Sequence, residues 1–153
     1  YHADLDTSET HGSTALAGQA LAYRNLHASL QTPQDVINQG MPAIKQFYKT
    51  QSEIYGYEMK PSYRAVNSLG YKTLQDKDYG KAIAIFKGNV KRFPHKADAY
   101  DSLADGLEAN GQLEEALAMR HLVIEHSINE NIENNAYKTR RANLMKLLDA
   151  KSQ

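Results

Sequence analysis

DYGKAIAIFKGNVKRFP, residues 78–94, places its apolar side chains three and four positions apart and is stopped by Pro94. QLEEALAMRHLVIEHSI, residues 112–128, repeats the phrase in looser form. Sliding one copy over the other sets Ala82 on Ala116, a stride of 34 residues. The same stride lays Val66 on Tyr100, Leu69 on Leu103, Gly70 on Ala104, Leu74 on Glu108 and Pro94 on Ile128. Small residues fall where two helices of a hairpin must approach closely, and large apolar residues fall beside them. A helical hairpin cannot bury its apolar face alone, whereas a hairpin stacked on a copy of itself can. A fixed stride of this length is the mark that such stacking leaves in a sequence.

Working outward, the flanking residues also read as helix. Thr32 is an N-cap and Pro33 occupies the first helical position, where its missing N–H is not needed. A short helix through Val36 and Ile37 should end at Gly40, and Pro42 can start the next. Ile44, Phe47, Tyr48, Ile54 and Tyr55 then form one expected buried face, and Gly56 should terminate that helix. Pro61-Ser62 opens a segment in which Tyr63, Val66, Leu69, Gly70 and Leu74 share a face. A third copy beginning near Asn131 keeps Tyr137, Leu144, Leu147 and Leu148 but lacks the alanine position. It reads as a capping helix, whose outer face should be polar. The expected fold is all-α: antiparallel helix pairs stacked in a short superhelix and closed by a C-terminal cap. Residues 32–60 supply connecting helices, residues 61–153 the repeats and cap, and residues 1–31 a separate leading segment.

Composition removes several function classes. The chain has 153 residues, with 18 Lys plus Arg against 18 Asp plus Glu, so no global field favours nucleic acid or an anionic membrane. Cysteine is absent, which excludes disulfides and thiol chemistry. No apolar run approaches the roughly 18 residues of a membrane span. Tyr1 opens the chain in place of methionine, which reads as a piece of a longer protein. Most of the ten tyrosines fall on apolar faces, which suits a core better than a base-stacking surface. The basic run Lys138, Arg140 and Arg141 is expected to face Glu130 and Glu133, so nucleic-acid binding is not supported. HLVIEH, residues 121–126, lacks the HExxH spacing, and His121 with Glu125 reads as an ordinary surface pair; no metal or cofactor is expected.

With these residues in view, the segment from Pro61 resembles tetratricopeptide repeats. Leu69, Gly70, Ala82, Phe86 and Pro94 carry the pattern in the first copy, and Tyr100, Leu103, Ala104, Gly111 and Ala116 carry it in the second. Val66 replaces the usual large aromatic, Arg120 stands where Phe86 stands, and Ile128 replaces the closing proline. The resemblance implies a concave groove lined by the first helix of each repeat. Here that groove would hold Arg64, Asn67, Tyr71 and Gln75, then Asp98, Asp101, Asp105 and Glu108. Four carboxylates on one helix stripe repel one another unless solvated or met by cations, so they are expected to be a solvated face or to attract a basic partner. Tetratricopeptide domains that grip a partner's C-terminal carboxylate use lysine, arginine and asparagine there, and the acidic stripe argues against that use. The close approach predicts that Gly70→Leu or Ala116→Leu destabilises by roughly 1–3 kcal/mol.

SETHGST, residues 8–14, resembles the histidine-bearing segment of the esterase-like α/β-hydrolases, through Glu9, His11, Gly12 and Ser13, followed by helical TALAGQALAYRNLHASL. Residues 33–74, with YGYEMKP and LGY, and DAYDSLADGLEANG further on, look like the C-terminal extension that some of these esterases carry. In such enzymes the histidine takes a proton from a serine on a GxSxG turn, and both the serine and the orienting acid precede it in the chain. This chain contains no GxSxG. His11 would therefore be one member of the parent's triad, inactive alone. Two readings stand. One is the tail of a hydrolase, packing on its own catalytic domain or binding a peptide or protein. The other is a separate scaffold that binds a basic peptide or protein. Pairing of two copies through an uncapped end of the stack is open to either.

Overall fold

A computed structural model describes residues 31–151. The chain divides into two units, Tyr1–Pro33 and Gln34–Gln153, and the helices below belong to the second. They are α1 (Gln34–Asn38), α2 (Met41–Tyr55), α3 (Tyr63–Gln75), α4 (Tyr79–Arg92), α5 (Ala97–Ala109), α6 (Leu113–Asn129) and α7 (Asn135–Lys151). The described residues contain no strand. From α3 onward each helix packs on the next, and α3 also touches α5, so this unit is a stack of adjacent helix pairs.

The stride is visible in the backbone. Helix α5 starts and ends 34 residues after α3, and α6 starts 34 residues after α4. The turns match as well. Lys77, between α3 and α4, has φ 63°, and Gly111, one stride later between α5 and α6, has φ 79°. After each of these residues a backbone N–H reaches back over the helix end, from Asp78 to Thr73 O and from Gln112 to Leu107 O. This left-handed cap satisfies carbonyls that a helix end leaves orphaned, and glycine adopts it without steric cost. The Ser62 side chain accepts the Ala65 N–H at the start of α3, and Asp78 accepts that of Lys81 at the start of α4. Local chemistry therefore marks the starts of α3 and α4 and the ends of α3 and α5.

Beyond α6 the stride is lost. Asn131 takes φ 56° and closes α6, with the Ile132 N–H bonded to Ser127 O, so it ends a helix and does not begin a third copy. The capping helix starts only at Asn135. It inserts Leu144 into the core and rests Leu148 against it. Leu147 remains 47% exposed and Met145 44%, so the outer face is less polar than its sequence suggested.

Two core clusters hold the unit together. Ile37, Ile44, Tyr48, Ala65 and Leu69 join α1 and α2 to α3, while Phe86, Leu103, Leu107, Leu113, Ala116 and Leu144 are among those joining α4 to α7. Phe86 is fully buried between two glycines, Gly70 of α3 and Gly106 of α5. A Cβ on Gly70 would overlap the ring, and one on Gly106 would lie 3.1 Å from it. One residue departs from its expected face. Ile54 is 64% exposed because it lies near the end of α2, beyond Tyr48, the last buried residue of that helix.

Candidate functional site

Helices α3 and α5 lie side by side and present to one surface the positions that the stride relates. Between them is a polar pocket of about 340 Å³ whose lining includes Arg64, Asn67, Tyr71, Asp98 and Asp101. A second hollow of about 360 Å³, between α5, α6 and α7, takes in Asp105 and Glu108 together with Arg120 and Arg140. Of the predicted groove residues only Gln75 lines neither; it is exposed at the end of α3. His11 lies outside the described residues.

The acidic stripe is partly buried and is met by cations of the same chain. Arg120, reaching from α6 with a side chain only 2% exposed, pairs with Asp101, with Asp105 at 2.6 Å and with Glu108 at 2.6 Å. Its guanidinium fork directs separate N–H donors at three carboxylates spaced one and two turns apart, which a point-charge ammonium cannot do. Arg140 of α7 meets the other oxygen of Asp101 at 2.7 Å. It therefore turns to α5, and not to Glu130 and Glu133 as the sequence suggested. Glu130 accepts the Ala97 N–H at the start of α5. Tyr71 donates to Asp105 Oδ2 at 2.7 Å, and Tyr137 donates to Asp98 Oδ1 at 2.7 Å. Each carboxylate of the stripe thus has a partner within the chain.

The signal for this network was present in the sequence. Arg120 breaks the repeat pattern at an apolar, inward position, and one stripe of α5 carries Asp101, Asp105 and Glu108 in helical register. A buried cation needs anions, and these were the ones in reach. Burial opposes the charge of Arg120, yet the hydrogen bond to Asp105 and the charge of Asp101 raise its pKa above the ordinary value. Burial also raises Asp101, against the lowering influence of Arg120.

The tyrosines carry a pH signature. Burial pushes Tyr63 up to about 12 from its ordinary 10.0. Burial raises Tyr71 and Tyr137 still further, and their hydrogen bonds to Asp105 and Asp98 add to it. A group whose folded pKa lies above its unfolded value contributes stability that is complete below the unfolded pKa and is lost as pH rises through the folded one. Stability should therefore fall from pH 10 upward through about pH 12, where unfolded Tyr63 ionises and folded Tyr63 resists. Tyr71→Phe combined with Tyr137→Phe should flatten that fall. Urea midpoints measured across this range, with tyrosinate absorbance followed in parallel, check the prediction; equal slopes for both proteins would contradict it.

Two buried polar atoms of the groove lining, Asn67 Oδ1 and the Tyr63 hydroxyl, have no hydrogen-bond partner. Beside them are exposed Arg64 and, from the turn before α5, half-buried Lys96, whose ammonium lies 3.5 Å from Asp98 and 5.1 Å from the centre of the Tyr63 ring. Such a surface offers hydrogen bonds and charges of both signs to an extended polar segment. Among the described residues no group of three histidine, cysteine, aspartate or glutamate side chains is placed to hold a metal ion. His126 is stacked on Tyr100 at 4.5 Å. No described helix is long and apolar enough to cross a membrane. Comparison with protein-family models finds none that matches the chain, and comparison with curated protein sequences finds no match either.

Proposed function

We propose that this chain is a non-catalytic, tetratricopeptide-like helical module that forms the C-terminal part of an esterase-like α/β-hydrolase. It serves peptide or protein interaction, or packs against the parent's own catalytic domain. The observation that carries the interaction role is the groove between α3 and α5, where stride-related positions meet and the buried Asn67 Oδ1 lacks a partner. The link to a hydrolase is supported by the resemblance of residues 8–14 with the helix expected after them, of residues 33–74 and of DAYDSLADGLEANG, residues 98–111. Because Arg120 and Arg140 already pair with three of the four carboxylates of the acidic stripe, the charge argument for a separate scaffold that binds a basic peptide is weakened. The segment that lies in this groove would instead present an N–H, from its backbone or a carboxamide, to Asn67 Oδ1 and a carbonyl or carboxylate to Arg64.

His11 would belong to the parent's triad, with serine, orienting acid and oxyanion donors supplied by another domain. The purified chain should therefore hydrolyse p-nitrophenyl acetate no faster than its His11→Ala variant. Turnover abolished by that substitution would refute the non-catalytic assignment. The coding sequence upstream of Tyr1 tests the link to a hydrolase. A GxSxG within a strand–turn–helix pattern supports it, and an unrelated domain or a start codon there removes it.

A further inference from the structure

The opposite side of α3 from the polar groove carries a different surface. Together with α2 and α4 it bounds a pocket of about 620 Å³, whose apolar lining includes Met41, Val66, Leu69 and Ile85. The charged residues around it are all cations: Lys45, Lys60, Lys81 and Arg92, with no carboxylate among the described lining. In a chain whose charges balance, that segregation is a local field of one sign. Arg92 is held at the rim by donation to Pro61 O, and Lys60 lies 3.6 Å from exposed Glu58. Lys45 and Lys81 have no carboxylate partner among the described residues. They are the cations best placed to meet an anion.

We infer that this pocket binds a small amphiphilic carboxylate, an apolar chain seated on Val66, Leu69 and Ile85 with its anionic head toward Lys45 and Lys81. Size favours a small molecule over a protein surface. The volume falls within the roughly 300–1,000 Å³ of ligand pockets. The fourteen described lining residues fall short of the roughly 20–30 that each side of a standard protein interface contributes. Gly88 gives the pocket its open wall. It lies inside α4, where glycine weakens a helix, and a Cβ there would meet no protein atom within 4 Å. No packing within the described unit requires a glycine at that position, and the space above it belongs to the pocket.

Isothermal titration of the whole chain with decanoate and with decyltrimethylammonium separates tail from charge. Decanoate should bind saturably and at least about tenfold more tightly than the cation of equal chain length. Gly88→Leu should keep the helical spectrum and melt no lower than the parent chain while weakening decanoate at least about tenfold, because its side chain enters the pocket. The double charge reversal Lys45→Glu with Lys81→Glu should invert the preference between the two amphiphiles. Absence of saturable decanoate binding, equal affinity for both amphiphiles, or undiminished binding by Gly88→Leu would each overturn the assignment. So would binding of an acidic amphipathic peptide where decanoate fails, which would make this face a protein-docking surface.

Discussion

Replacing Arg120 with alanine should lower the unfolding free energy by about 3–5 kcal/mol, the range seen when one partner of a buried ion cluster is removed. The loss is large because the substitution strands its partners. Asp101, which is 12% exposed by side chain, keeps only Arg140, while Asp105 and Glu108 lose their closest cation and repel it along one helix face. Total stability of a domain this size is only about 5–15 kcal/mol, so the substitution removes a large share of it. Arg120→Lys should recover little, since an ammonium cannot direct planar N–H donors at three separate carboxylates. Arg120→Phe, which restores the residue found one stride earlier, should not help either, because the carboxylates remain. Urea unfolding followed by far-ultraviolet circular dichroism measures the effect. A loss below about 1 kcal/mol would mean that water already screens the cluster as it does a surface pair.

The second large effect is at Gly70, where leucine should destabilise by about 3 kcal/mol, the upper end of ordinary overpacking. Ala116→Leu, at a fully buried position, should fall in the same class. At Gly70 the cause is specific: the first added carbon already occupies the space of the Phe86 ring. Gly70→Ala with Phe86→Leu therefore makes an informative pair. Each alone should destabilise, and the double variant should lose less than their sum, because the smaller side chain vacates the space that the new methyl needs. Strict additivity would show that the ring is not the obstacle.

The helix pairs could be read from the sequence because three independent features agreed on the 34-residue stride. Apolar spacing located the helices, Gly70 and Ala104 marked a close approach, and Gly111 marked a turn. Lys77, its counterpart one stride earlier, gave no such mark, since a lysine with positive φ has no compositional signature. The α7 boundary was misplaced for a related reason. Asn131 looked like the opening of a third copy, whereas asparagine tolerates the left-handed conformation that closes α6. At the groove, side-chain types were legible and their pairing was not. Carboxylate spacing is a local property, but the cations that meet it come from 19 and 39 residues away. Gln75 was placed by period alone and fell beyond the last turn that faces the neighbouring helix. The apolar pocket had no sequence mark beyond Gly88, because it is an absence of atoms between three helices.

The attachment of α7 has a further consequence. Its polar clasps, Tyr137 on Asp98 and Arg140 on Asp101, precede the one buried side chain of the helix, Leu144. Elements held this thinly detach before the remainder melts and form their own unit of amide protection. Because Arg140 is half exposed, ionic strength should govern that detachment far more than it governs the opening of α3 to α6. Brine would thus act on this protein as a selective lever, releasing the last helix and uncovering Leu144 while the paired helices beneath stay closed.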